Sequence, residues 1–254
     1  MKIKSIMSHP VVTVQRKNTV KEAVEKMAQK GISCVVVVEK KLPIGIFTRY
    51  DLLATIESGQ DISSIAIETV MHTPVMPIEE NDYLFSAARQ MGMLDVRRFI
   101  IVDSSNKLTG IVTEHDIVHS YALRAFPYNV MLAPLSDTGL TATPRTPLKK
   151  IAHMMLEARK ECVTILKNRK PVGVVDESLF TGLAAKGGKA LKAAAETKMI
   201  KKITCAMPED SVREAVIKMT RMGQREIVLT DENGNYTGVV TLRHLVRYIE
   251  KSQA

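Results

Sequence analysis

The sequence predicts an α/β (α+β) chain made of four β-α-β-β-α repeats, and three observations carry that prediction. The phrase GIFTRYDLL at 45–53 returns as GIVTEHDIV at 110–118, and two altered copies follow, GVVDESLFT at 173–181 and GVVTLRHLV at 238–246. Their glycines, Gly45, Gly110, Gly173 and Gly238, stand 65, 63 and 65 residues apart. Each copy is preceded by the same order of a capped helix and a short apolar run, and such a period marks an internal repeat. The 254 residues hold four units of about 64. A unit of that size buries little core alone, so the units are expected to pair.

Each unit opens near a Met-x-x-Pro stretch: IMSHP (Met7, Pro10), VMHTP (Met71, Pro74) and VMLAP (Met131, Pro134), with MIKKI at Met199 lacking the proline. A short extended segment follows, VVTV at 11–14 and VMPI at 75–78. The first helix of each unit is expected to be capped by Thr19, Asp82, Thr146 or Ser211. Thr19 with Glu22, and Ser211 with Glu214, fit the capping box, and Pro147 suits a first helical turn. Val20, Ala23, Val24 and Met27 make one apolar helix face. Buried strands are read in CVVVV (34–38), FIIVD (99–103), CVTIL (162–166) and EIVLT (226–230). Turns such as SSNK at 104–107 and DENGN at 231–235 lead to a second strand that opens on GIF, GIV or GVV. The last helix starts at Thr48, Thr113, Asp176 or Thr241, whose oxygen can accept a backbone N–H.

Composition is that of a globular protein, 45% hydrophobic and 25% charged without tryptophan. No signal peptide and no apolar run long enough to span a bilayer is read, so no membrane partner is expected. Cys34, Cys162 and Cys205 form no CxxC pair, and an odd count suits a reducing cytoplasm. Cys34, in SCVVVV, is expected in the core. The net charge of +9 is uneven: residues 1–128 hold 15 Lys/Arg against 14 Asp/Glu, residues 129–254 hold 21 against 13. Its densest cluster lies in 184–202, with Lys186, Lys189, Lys192, Lys198, Lys201 and Lys202, read as a linker helix after Gly187-Gly188. A nucleic-acid-associated scaffold using this basic half is the alternative function, although no recognisable binding motif supports it.

A 60-odd-residue β-α-β-β-α unit ending in G-x-x-T-x-x-D resembles the cystathionine β-synthase (CBS) domain. Four copies resemble two tandem pairs, called Bateman modules, as in the gamma subunit of AMP-activated protein kinase. The units are 1–62, 63–126, 127–188 and 189–254, the last two with a degenerate motif. The resemblance covers nearly the whole chain and implies a non-catalytic sensor of AMP, ADP, ATP or S-adenosylmethionine, read by a partner protein in trans. In such modules the units stack within one chain or as a homodimer. No nucleophile–base pair or metal cluster is legible, so neither an enzyme nor a bound cofactor is expected.

The motif suits that ligand. A helix N-terminus favours anions, and Thr48 and Thr113 can offer hydroxyls to a ribose or phosphate. The resemblance implies that Asp51 and Asp116 hold the ribose diol. It places the adenine against His9, Pro10, Val11 and Val12 in the first unit and Thr73, Pro74, Val75 and Met76 in the second. Ile46 and Val112 would be apolar walls. Arg97 and Arg98 stand where the kinase subunit's basic residues reach phosphate; Arg225, Arg49 and His115 are further candidates. His115 and His119 lie one turn apart but lack further metal ligands. The third unit has Asp176 and Leu179 where threonine and aspartate belong, and the fourth keeps Thr241 but has His244. Nucleotide chemistry is therefore expected in the first module.

Overall fold

The computed structural model describes residues 1–122, 129–187 and 191–252. The first repeat is β1 (Thr13–Gln15), α1 (Val20–Lys30), β2 (Cys34–Glu39), β3 (Leu42–Thr48) and α2 (Arg49–Glu57). The second is β4 (Ile78–Glu79), α3 (Leu84–Leu94), β5 (Arg98–Val102), β6 (Leu108–Thr113) and α4 (Glu114–Ala122). The third is β7 (Thr141–Ala142), α5 (Leu148–Glu157), β8 (Cys162–Lys167), β9 (Lys170–Asp176) and α6 (Glu177–Ala185). The fourth is β10 (Cys205–Ala206), α7 (Val212–Arg221), β11 (Glu226–Thr230), β12 (Tyr236–Thr241) and α8 (Leu242–Lys251). The expected fold class holds. In every sheet the middle strand pairs parallel with the first and antiparallel with the third. No helix among the described residues is long and apolar enough to cross a membrane.

The repeats pair through their sheets. Val36 and Val38 meet Ile100 and Val102 to close the first module, and Cys162 and Val174 meet Val228 in the second. The modules then join through their helices. α1 and α2 pack on α5 and α6, while α3 and α4 pack on α7 and α8. One apolar core runs from Leu84 and Met91 to Leu245 and Ile249, fusing the second and fourth repeats. Burial of continuous apolar surface of this kind is the main stabilising term.

Each opening segment belongs to its partner repeat. Ile3 is fully buried in the core of the second repeat, and Ile67 in that of the first. Short bridges mark the exchange, Lys2 with Tyr83 and Ser8 with Ile111, Ala66 with Thr19 and His72 with Ile46. This crossing explains the periodic glycine. A Cβ on Gly45 would strike the Met71 sulfur, on Gly110 that of Met7, on Gly173 that of Met199.

That geometry corrects the reading of the third opener. Gly238 meets Asp137 and Ser136, not a methionine, so Met131 is not the counterpart of Met7. Met131 bridges Ser211 as Lys2 bridges Tyr83, which sets the VMLAP match five residues early. The first-helix caps also shift. Thr19 forms its capping box with Glu22, but the residues at the same place 64 positions on are Tyr83, Pro147 and Ser211, none with a side-chain cap. Asp82 and Thr146 instead accept the backbone N–H of Glu79 and Thr143, closing the turn before the helix. The Ser211 hydroxyl is buried without a partner, so the Ser211–Glu214 box does not form. The predicted linker helix is absent from 191–202, where one 3₁₀ turn, Ala195–Thr197, docks on the third repeat by hydrogen bonds from Ala195 to Thr146 and Glu196 to Pro144. Lys189 and the unit boundaries near 126 and 188 lie outside the described residues.

Candidate functional site

A cleft of about 360 Å³ opens in the first module. The first repeat supplies Ile46, Thr48 and Asp51; the crossing opener of the second supplies His72, Pro74, Val75 and Met76. The second repeat adds Arg97, Arg98, Phe99 and Ile100. The other module adds Arg159 and Arg243, which have no precedent in the sequence reading.

The opening goes with a local difference in the backbone. In three repeats the middle strand donates a backbone N–H to the opener: Val36 to Val12, Thr164 to Leu140 and Val228 to Thr204. Among the described residues, Ile100 makes no such bond to Met76. Pro77 stands where Thr13, Thr141 and Cys205 begin their strands, and β4 starts one residue later, at Ile78. The edges of Met76 and Ile100 are left to the cleft.

Asp51 caps its own helix. Its Oδ2 accepts from the Thr48 N–H and hydroxyl, both at 2.8 Å, while Oδ1 takes no part in the cap. Burial pushes this carboxyl up, against the Thr48 bonds and the charge of Arg98. A half-buried carboxylate with open acceptor capacity favours a ligand that donates hydrogen bonds.

The four arginines differ in commitment. Arg97 lies 3.0 Å from Glu161 and 2.9 Å from Glu177, both of the third repeat. Burial opposes its charge, but these carboxylates outweigh that and raise its pKa. It is a tie between modules rather than a free phosphate ligand. Arg243 is likewise held, by Asp95 and by Glu114 at 3.3 Å. Arg98 donates to the Ser33 carbonyl at 3.0 Å, and Arg159 is exposed; among the described residues neither has a carboxylate partner within ion-pair distance.

Other expected residues stand elsewhere. Val112 is fully buried in the core, because strand residues alternate faces; the counterpart of Ile46 is Ile111. Arg49 does not line the cleft. It is buried, its Nε has no partner, and burial and nearby Arg225 lower its pKa. Arg225 belongs with it, away from the lining residues. The Thr73 hydroxyl is spent on the Ile44 carbonyl at 2.9 Å.

Thr113 and Asp116 repeat the cap, at 2.8 and 2.7 Å. They face the opener through Ser8 and Ile111, but Ser33 and Cys34 stand in the place of Arg97 and Arg98. His9 and Pro10 are exposed there, Val11 packs on the sheet seam, and the Val12 carbonyl is taken by Val36. His115 stacks on His119, ring centroids 6.0 Å apart.

The second module ties the corresponding places with its own side chains. His244 Nδ1 accepts from the Thr241 N–H at 3.2 Å, and its Nε2 lies 3.3 Å from Asp137, which also binds Lys160. In the third repeat Asp176 caps Ser178 and Leu179, and Gln224 closes the partner opener through Thr204 and Lys202.

Known proteins share this architecture. A Methanocaldococcus jannaschii protein proposed as an archaeal homologue of g-AMPK superposes with a TM-score of 0.88 at 18% identity, covering 98% of this chain and 99% of that one. An uncharacterized conserved protein from Pyrococcus horikoshii gives 0.68 at 23% identity, covering 98% and 100%. An uncharacterized Methanopyrus kandleri protein is 38% identical over 110 residues, 42% of this chain and 56% of its own length. Arabinose 5-phosphate isomerase of Francisella tularensis is 27% identical over 120 residues, 46% of this chain and 37% of its own. The chain thus spans about half the length, or less, of these curated relatives. The CBS domain profile matches residues 3–58, 67–123 and 194–251, leaving only the degenerate third repeat unmatched. Carrying that match over more than half its length, the chain belongs to the CBS domain family.

Proposed function

We propose that the cleft at Asp51 binds a phosphorylated adenosine nucleotide, AMP, ADP or ATP, and that the chain is a non-catalytic sensor read by a partner protein in trans. The observation that carries this reading is the convergence, in one cleft, of a half-buried carboxylate, an unpaired backbone edge and cations. Asp51 Oδ1 accepts from the ribose diol, and the Thr48 hydroxyl, its proton given to Asp51, can only accept a further hydrogen bond. The Ile100 N–H and Met76 carbonyl offer one donor and one acceptor to a purine edge, between apolar Ile46 and Val75. Arg98 and Arg159 meet the phosphates, as uncommitted guanidinium groups suit. S-adenosylmethionine, whose sulfonium is cationic, is disfavoured beside them. Because Arg159 and Arg243 come from the second module, a bound anion biases how the modules sit, and its effect is limited to its differential affinity for the two arrangements.

Calorimetric titration of nucleotide-stripped protein with AMP, ADP, ATP and S-adenosylmethionine tests this. Micromolar binding of a phosphorylated ligand, stronger than that of S-adenosylmethionine, is expected. No binding by any of the four, with steeply salt-dependent polynucleotide binding instead, would support the scaffold reading in its place.

A further inference from the structure

We propose that Asp95 is a specificity determinant that limits the length of phosphate chain the cleft accepts, favouring AMP over ADP and ATP. The inference rests on the adenosine-nucleotide reading above. Asp95 lines the same cleft as Asp51, Arg98, Arg159 and Arg243. It grips Arg243 in a close ion pair and lies 3.6 Å from Arg247, both on α8. The first phosphate meets Arg98 beside Thr48. Each further phosphate runs toward Arg159 and Arg243, and there it faces the Asp95 carboxylate. It gains Arg243 only by taking that guanidinium from Asp95, and it suffers like-charge repulsion until it does.

The position supports a selected acid. Asp95 ends α3 at φ 52°, in the left-handed region, where glycine is the easier residue. Glycine does stand there after α1, Gly31 at φ 65°, and after α7, Gly223 at φ 64°. The cleft with the arginines therefore carries a carboxylate at a place where its counterpart, beside Asp116, carries no side chain. Glu114, at 3.3 Å, still holds Arg243 when Asp95 is removed.

The test is calorimetric titration of AMP, ADP and ATP into wild type, Asp95→Asn and Asp95→Gly at one ionic strength. The ratio of ATP to AMP affinity is expected to rise about tenfold in both variants. An equal gain for all three nucleotides, or any other result in which that ratio does not rise, overturns the proposal. The glycine variant matches the residue at two equivalent helix ends, and an unchanged thermal midpoint confirms its fold; the asparagine variant keeps the side-chain volume. Wild type that binds none of the three would instead end the nucleotide reading itself, a separate outcome.

Discussion

The two halves of the first module carry the same threonine–aspartate cap with nearly the same distances, yet they make different clefts. Around Asp51 stand Pro77, Arg97, Arg98 and Asp95; around Asp116 the corresponding places hold Thr13, Ser33, Cys34 and Gly31. The motif is thus a helix cap in both. What distinguishes the open, cationic cleft is the opener, unpaired at Met76 beside Pro77, and the pair of residues at the start of the middle strand. The second module makes the point again: Asp176 caps its helix without any ribose carboxylate at position 179.

The largest effect should come from breaking the frame around the Asp51 cleft. Arg97→Met leaves Glu177, buried, and Glu161, half-buried, without their partner between modules, which costs roughly 3–5 kcal/mol. Urea unfolding should show that loss, whereas Ser33→Ala at the corresponding place should change little. Next comes the charge that separates the clefts. Arg98→Gln removes a charge-assisted contact worth roughly 1.5–3 kcal/mol, so AMP affinity should fall about ten- to a hundredfold in a calorimetric titration. Pro77→Thr is expected to let β4 begin a residue earlier and restore the bond from Ile100 to Met76. It should lower AMP affinity several-fold while raising the thermal midpoint; unchanged affinity would mean that the proline does not open the cleft.

The smallest effect is on pH dependence. Burial, then Asp176 and Glu161, push the Glu226 carboxyl up to about 8, and burial with Glu161 pushes Glu114 up to about 7. Both exceed the ordinary value of 4.5. The folded state therefore holds these protons more tightly than the unfolded one, and stability should fall as pH rises from about 4.5 to about 8. Glu226→Gln removes a buried charge at high pH, so its thermal midpoint at pH 9 should exceed that of wild type by a few degrees. A lower midpoint there would show that the ionised carboxylate is well compensated.

The repeats, their strands and the Thr48–Asp51 pair were legible in the sequence because they recur at one period. The exchange of openers was not, because period says nothing about which repeat a segment packs on. Val112 was misassigned by one residue, and with a two-residue strand period that moves a side chain to the opposite face. Pro77 could have been found by aligning the units at their 64-residue spacing, where it alone interrupts Thr13, Thr141 and Cys205. Arg159 and Arg243 carried no such signal. Each lies far along the chain, and only the packing of helices between modules brings them to the cleft. Arg97 lines the cleft, but its pairing is not legible in the sequence, because its acids belong to the third repeat.

The central claim is that the cleft at Asp51, not the one at Asp116, holds the nucleotide. It is tested most directly by titrating AMP into wild type, Asp51→Ala and Asp116→Ala side by side. The account predicts about a tenfold or greater loss of affinity for Asp51→Ala and less than about a twofold change for Asp116→Ala. Loss confined to Asp116→Ala would contradict it and move the ligand to the other half of the module.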